Sequence, residues 1–283
     1  MNSYVNKDLT VKEIEKMDFS TLVAVVREPN MCSGGRETIR TAIKEGNIGG
    51  AVNILEVGSN TGYSSIEFAI TLPNSKVTGI DINPLSVAFA TDKAKSYHIK
   101  NVEFLCSDAT NLPFEDNAFD VLFVSNVTSF IPDKEAALKE YVRVLKPQGL
   151  LIAAPISYNA LPPYHIVKNV ENAIGTSLTV ADSAQWTNYF EKNGLSLYFS
   201  KSYEYVRSTD QDITEYVEMV MAQDHLKYYS LEIQKELSKR LQYFYSLFDE
   251  NLSYAGFDIL IYRKMDPNNI RILHKTRERK EKN

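Results

Sequence analysis

The stretch that decides the fold is "NILEVGSNTGYSS", residues 53–65. A short apolar run ends on Gly58, which is the form of a buried strand. Helical spacing then begins in "YSSIEFAITL". Between the two lies a turn with Gly58 and Gly62, residues that let a backbone bend sharply and approach a ligand closely. A G-x-x-x-G alone also suits a plain turn with no ligand. A dinucleotide site wants G-x-G-x-x-G, but Asn60 and Tyr63 hold the second and third positions here. Glu56, two residues before the first Gly, would repel a pyrophosphate and suits a ligand that carries a cation and no phosphate.

Working outward, the same alternation recurs. "KVTGIDIN" reads as a second strand, and "PLSVAFATDKAKSYH" as a helix with Pro84 in its first turn. "NVEFLCSDA" is a third strand and "FDVLFVSNV" a fourth, nearly all apolar as a strand covered on both faces should be. "KEAALKEYVRVL" is an amphipathic helix stopped by "KPQG", and "LLIAAP" is a fifth strand. Strands alternating with helices predict parallel βαβ units with right-handed crossovers. Beyond Pro155 a loop with two prolines and a helix are expected. Asp182 and Gln185 then make a capping box, and "LSLYFSKSYEYV" alternates as a strand. Residues 207–254 have a helical pattern rich in Tyr and Phe, and "FDILIYRK" is the last strand.

Asp81 ends the second strand, where a carboxylate can accept both hydroxyls of a ribose. Asp108 follows the third, within reach of an adenine amine. With Glu56, three acids end three successive strands on one edge, the edge where open α/β sheets bind ligands. S-adenosylmethionine (SAM) matches that set: an ammonium, a sulfonium, a ribose with two hydroxyls and an adenine.

On these residues the chain resembles the class I SAM-dependent methyltransferases. "ILEVGSNTGYSS" is similar to their first motif, "GIDIN" to the second, "CSDATNLPFEDNAFDVLFVSNV" to the third and fourth, and "VLKPQGLLIAAP" to the helix and strand after them. The resemblance implies a Rossmann-like sheet of seven mostly parallel strands, the last antiparallel, with helices on both faces and a helical cap insert. It implies SAM as cofactor, with contacts from Glu56, Gly58, Ser59, Asn60, Gly62, Asp81, Ile82, Asp108, Ala109 and Asn126. Ser59-Asn60-Thr61 departs from the Gly-Cys-Gly that many members carry. Asn126 lacks the "NPPY" or "DPPY" context of enzymes that methylate base amines.

The expected organisation is an N-terminal helical and lid segment (1–49), a cofactor-binding core (50–206), a helical substrate cap (207–254), a final core strand (255–265) and a basic tail (266–283). The opening segment "REPNMCSGGRETIR", residues 27–40, precedes the first strand and should pass the pocket mouth. Its "SGG" opens a helix whose free amides suit an anion, with Ser33 as a candidate cap and Arg27 and Arg36 as candidate partners of a carboxylate. A solvated helix start is the plain alternative. Tyr158 and His165, after the fifth strand, are the candidates for a general base. The tyrosines of the insert either line a pocket or pack the cap core.

Composition bounds the rest. Hydrophobic residues make up 44% and charged ones 24%, enough apolar content for a buried core. A net charge of −5 disfavours a nucleic-acid backbone as partner, so RNA methylation is a lesser expectation. Cys32 and Cys106, far apart, and four scattered His give no metal spacing. No signal peptide and no membrane span are expected, and a cytoplasmic setting follows as an expectation. The leading expectation is an enzyme that methylates a small molecule or short peptide. A SAM-binding sensor or scaffold without chemistry is the alternative.

Overall fold

The computed structural model describes residues 9–265, so the expected basic tail at 266–283 lies outside the described residues. Ten α-helices and eight strands are described. In chain order they are α1 (Val11–Lys16), α2 (Phe19–Val26), α3 (Gly35–Glu45), β1 (Asn53–Val57), α4 (Tyr63–Thr71), β2 (Lys76–Asp81), α5 (Pro84–Ser96), β3 (Val102–Cys106), β4 (Phe119–Val124), α6 (Lys134–Val144), β5 (Leu145–Ala153), β6 (Ile156–Tyr158), α7 (Tyr164–Ile174), α8 (Ser183–Phe190), β7 (Leu195–Glu204), α9 (Asp210–Met221), α10 (Leu231–Leu252) and β8 (Ala255–Lys264).

All strands join one sheet in the order β3-β2-β1-β4-β5-β8, with β6 and β7 also paired to β8. The pairs from β3 to β5 are parallel and the pairs of β8 antiparallel. The sheet has eight strands where seven were expected, and the reason is local. Ala153 of β5 pairs with Leu260, and Ile156 of β6 pairs with Phe257, so both strands follow one register along the same side of β8. Pro155 interrupts them because it has no N–H to give to a ladder. Its carbonyl still accepts from Asp258 N at 3.1 Å. The eighth strand is thus the continuation of the fifth.

Alternation along the strands sorts the two faces. Leu55, Val57, Leu122 and Val124 pack with Leu138 and Tyr141 of α6 and Trp186 and Phe190 of α8. Ile54, Val121 and Phe123 pack with Ile39 and Ala42 of α3 and Phe68 of α4. Caps set the helix starts the sequence marked: Asn83 accepts from Leu85 N with Pro84 at the first position, and Asp182 and Gln185 form the reciprocal box.

A second apolar cluster stands apart from the sheet. Leu22 and Val26 of α2, Val170 of α7, Val217 of α9, and Leu237, Leu241 and Phe244 of α10 share it, so helices from three separate chain stretches make one body. Phe19 stands edge-on to Phe244, Tyr245 and Phe248. This body meets the sheet at the edge where the parallel strands end. The α10 residue Asn251 donates through Nδ2 to the Tyr158 hydroxyl at 2.9 Å.

Candidate functional site

The turn after β1 is built from backbone that only certain residues tolerate. Gly58 has φ +77° and Gly62 φ +82°. A Cβ on Gly58 would stand 2.5 Å from Val127 Cβ, and one on Gly62 would stand 2.8 Å from Ala90 Cβ and Phe104 Cζ. Asn60, also at positive φ (43°), is a residue type that accepts it. The carboxylate of Asp81 holds this turn from the next strand. Its Oδ2 accepts from Asn60 N at 2.8 Å and its Oδ1 from Asn83 N at 2.9 Å. Burial raises the Asp81 pKa against these bonds. Each carboxylate oxygen has a further lone pair, so the group can still take two hydroxyls from the crevice.

The remaining expected contacts distribute unevenly. Ser59 Oγ and Asn60 Oδ1 are buried and have no hydrogen-bond partner among the described residues. Ile82, next to Asp81, is 73% exposed, an apolar side chain left open beside an acid. Asp108 is exposed, and its Oδ1 accepts from the N–H and hydroxyl of Thr110 at 2.8 and 2.9 Å. Ala109 is half-buried against the core. Glu56 is wholly buried, and its carboxyl accepts from the hydroxyl of Ser65 in α4. Desolvation pushes its pKa up to about 7. The side chain therefore reaches the helix that follows the turn, on the α3–α4 side of the sheet.

The opening segment is stitched to this edge. Thr61 Oγ1 lies 2.8 Å from the carbonyl oxygens of both Glu28 and Pro29. Glu28, 3% exposed, accepts from Asn30 N at 2.6 Å and from the Tyr216 hydroxyl of α9. Its pKa is raised by burial. Ser33 Oγ donates to Asn126 Oδ1 at 3.0 Å and lies 2.6 Å from the Tyr205 hydroxyl. Burial pushes Tyr205 up to about 12, so it keeps its proton near neutrality and donates to Ser33. Asn126 begins the segment after β4, and its carbonyl end is thereby oriented by a chain of two hydroxyls.

The structure overturns the Ser33 cap and gives the other candidates from the sequence these surroundings. Ser33 does not cap α3; Gly34 takes that place without a side-chain bond, because the Ser33 hydroxyl is committed to Asn126 and Tyr205. Arg36 is held by Glu67 of α4 through two bonds of 3.0 and 2.7 Å, so its fork is not free for a ligand carboxylate. Arg27 lies 5.6 Å over the Phe89 ring. Tyr158 is 6% exposed and held by Asn251, and burial raises its pKa, so it is no base near neutral pH. His165 is exposed in the first turn of α7. Cys32 is buried, and desolvation pushes its thiol up to about 12. Among the described residues no cluster of three metal-ligating side chains exists. None of the described helices is long and apolar enough to cross a membrane.

Thr61, Glu28 and Asn251 were not singled out as site residues by sequence, while Tyr205 and Tyr216 were among the tyrosines of the insert and its flanks, expected to line a pocket or pack the cap core. Thr61 sits inside the first motif, and Tyr205 closes the alternating "SKSYEYV", but nothing local marks their partners.

Comparisons with known proteins agree with this geometry. A family model described as a methyltransferase domain matches residues 48–194. The chain is 35% identical over 114 residues to a demethylmenaquinone methyltransferase of Lactococcus lactis, covering 40% of this chain and 45% of that protein. It spans less than two thirds of the length of the curated relatives it matches first. Among solved structures it is similar to MccD, with TM-score 0.68 and 24% identity over 83% of this chain and 99% of that one. It is also similar to the [4+2]-cyclase SpnF, with TM-score 0.65 and 20% identity over 87% and 92% of the two chains. With the family model covering more than half of its residues, and with the strand order, glycine turn and acidic strand end in place, the chain belongs to the class I, Rossmann-like methyltransferase-domain family.

Proposed function

We propose that the protein transfers a methyl group from SAM to a small molecule or short peptide held beneath its helical body. The observation that carries this reading is the turn 58–62 with its anchor Asp81. There two buried polar atoms, Ser59 Oγ and Asn60 Oδ1, face no partner among the described residues, and the bare Gly58 leaves its neighbour Val127 in close approach. These residues fit the cofactor. Asp81 would accept the ribose hydroxyls, Ile82 would cover the adenine and Asp108 would accept from its amine. The turn 58–62 would hold the amino-acid end. When bound, SAM supplies an electrophilic methyl on a sulfonium.

The chain's own part is alignment and dryness. Methyl transfer needs nucleophile, carbon and sulfur in line and water excluded, with little acid–base help. Segment 27–36, bonded to Thr61 on one side and Asn126 on the other, covers the mouth. The body of α1, α2, α7, α9 and α10 closes the substrate side, and Tyr158, Tyr205 and Asn251 offer it polar contacts.

The test is incubation with SAM and fractionated metabolite pools, read by mass spectrometry. A product heavier by one methyl, with release of the demethylated cofactor, is expected. SAM binding with no methylated product from any pool would leave a binder and overturn the catalytic reading.

A further inference from the structure

The two hydroxyls that end on Asn126 have a direction, and counting hydrogens gives it. Ser33 Oγ lies 3.0 Å from Asn126 Oδ1 and 2.6 Å from the Tyr205 hydroxyl. Each hydroxyl has one hydrogen to give. Tyr205 has no other hydrogen-bond partner among the described residues, so its hydrogen goes to Ser33. Ser33 then gives its own to an oxygen of Asn126. In the reverse direction the Tyr205 hydrogen would have no protein acceptor among the described residues. The relay thus decides which end of the amide is which. Oδ1 is taken, and Nδ2 with its two hydrogens points elsewhere.

The residues of the relay are held in place. The Ser33 carbonyl accepts from Thr38 Oγ1 at 2.5 Å. At Gly34 (φ +70°) a Cβ would stand 2.5 Å from Thr38 Oγ1 and 2.7 Å from Phe257 Cζ, so the chain after Ser33 presses on Phe257. The Tyr205 ring leans on the same phenylalanine, with centroids 5.6 Å apart. One core side chain of β8 therefore seats both hydroxyl-bearing residues.

What the amide faces follows from its neighbours. Val127, the next residue, is the side chain against which Gly58 packs, and β4 pairs directly with β1. Asn126 thus adjoins the turn 58–62. It is half-buried, and its Nδ2 has no partner among the described residues, yet it is not among the polar atoms sealed from solvent. An N–H group can serve only an acceptor. The amino-acid end of SAM, assigned above to this turn, carries an ammonium and a carboxylate, and only the carboxylate accepts. Arg36 is engaged by Glu67 and does not compete for it.

We infer that Tyr205 and Ser33 are positioning residues that aim the Asn126 amide nitrogen at the carboxylate of bound SAM. The inference rests on the methyl-transfer reading for the identity of the ligand. Without the relay the amide is free to turn its oxygen toward the carboxylate, which repels it.

The test is calorimetry of SAM and of decarboxylated SAM, which keeps the adenosine, sulfonium and ammonium, on the parent, Tyr205→Phe and Asn126→Ala. Tyr205→Phe keeps the ring on Phe257 and removes only the hydroxyl. SAM affinity should fall about tenfold or more in Asn126→Ala, the order of a hydrogen bond to a charged group, and about threefold or more in Tyr205→Phe. Decarboxylated SAM should bind all three proteins alike, which also shows that the variants are folded. Equal weakening of both ligands would mean a structural role only. Weakening of decarboxylated SAM alone would mean that the amide oxygen serves the ammonium. SAM affinity unchanged in Asn126→Ala or in Tyr205→Phe would mean that the relay aims at nothing on the cofactor. Each of these overturns the inference while the parent still binds SAM. A parent that fails to bind SAM would instead strike the methyl-transfer reading, and this inference with it.

Discussion

Replacing Gly58 with Ala is the sharpest local perturbation of the cofactor turn. The position has φ +77°, where an L side chain crowds its own carbonyl. That backbone term costs roughly 1–2 kcal/mol. The added Cβ would also stand 2.5 Å from Val127 Cβ and 2.8 Å from both its Cγ atoms. Such overlap forces movement at about 1–3 kcal/mol. Together the loss of unfolding free energy should be roughly 2–5 kcal/mol. Val127 follows Asn126 directly, so the displacement should also spoil the floor of the site and weaken binding of S-adenosylhomocysteine. Val127→Ala removes the two Cγ contacts but keeps the Cβ, so the double variant should recover only part of the loss. Urea denaturation and calorimetry measure both quantities. A Gly58→Ala protein with stability within about 0.5 kcal/mol of the parent, the range of ordinary surface changes, would refute the close approach.

Three further outcomes are expected. Arg36→Ala should leave binding of S-adenosylhomocysteine unchanged and move the unfolding midpoint little, because Arg36 is an exposed partner of Glu67 rather than a ligand contact; a large loss of affinity by calorimetry would restore it as a contact. The Glu56 pKa is raised in the folded state to about 7 from its ordinary 4.5, so its contribution to stability is complete below about 4.5 and is lost as pH rises through about 7. That loss is on the order of 3 kcal/mol, and Glu56→Gln should flatten the stability profile across that window; an unchanged slope would refute it. Hydrogen exchange at residues 27–36 should slow when S-adenosylhomocysteine binds, and equal exchange in both states would remove the covering role of that segment.

The sheet was legible because its signals are local. Each of β1 to β4 is a short apolar run with a glycine, an acid or an asparagine at or just after its end, and the caps at Asn83 and Asp182 lie within three residues of what they bond. Asp81 and the turn 58–62 were legible for the same reason. What escaped depends on distance along the chain. Ser33 meets residues 93 and 172 positions away, and Glu28 meets one 188 away, so no periodicity reports them. Strand β6 escaped because three residues between Pro155 and a proline-rich loop do not build an alternation. The pairing of Arg36 with Glu67 escaped because a helix start with an arginine looks the same whether the arginine is free or engaged. The shared core of α2 with α7, α9 and α10 escaped because each helix shows only its own apolar stripe, not whose stripe it meets.

Isothermal titration of SAM and S-adenosylhomocysteine into the protein and into Asp81→Ala tests the central claim most directly. Asp81 bonds Asn60 N and Asn83 N and stands ready for two ribose hydroxyls. The account predicts saturable one-to-one binding of both ligands to the parent protein. Its weakening in the folded variant should be about 1.5–3 kcal/mol, the worth of hydrogen bonds to a charged group. Binding of NAD without SAM, or SAM affinity unchanged in Asp81→Ala, would contradict it.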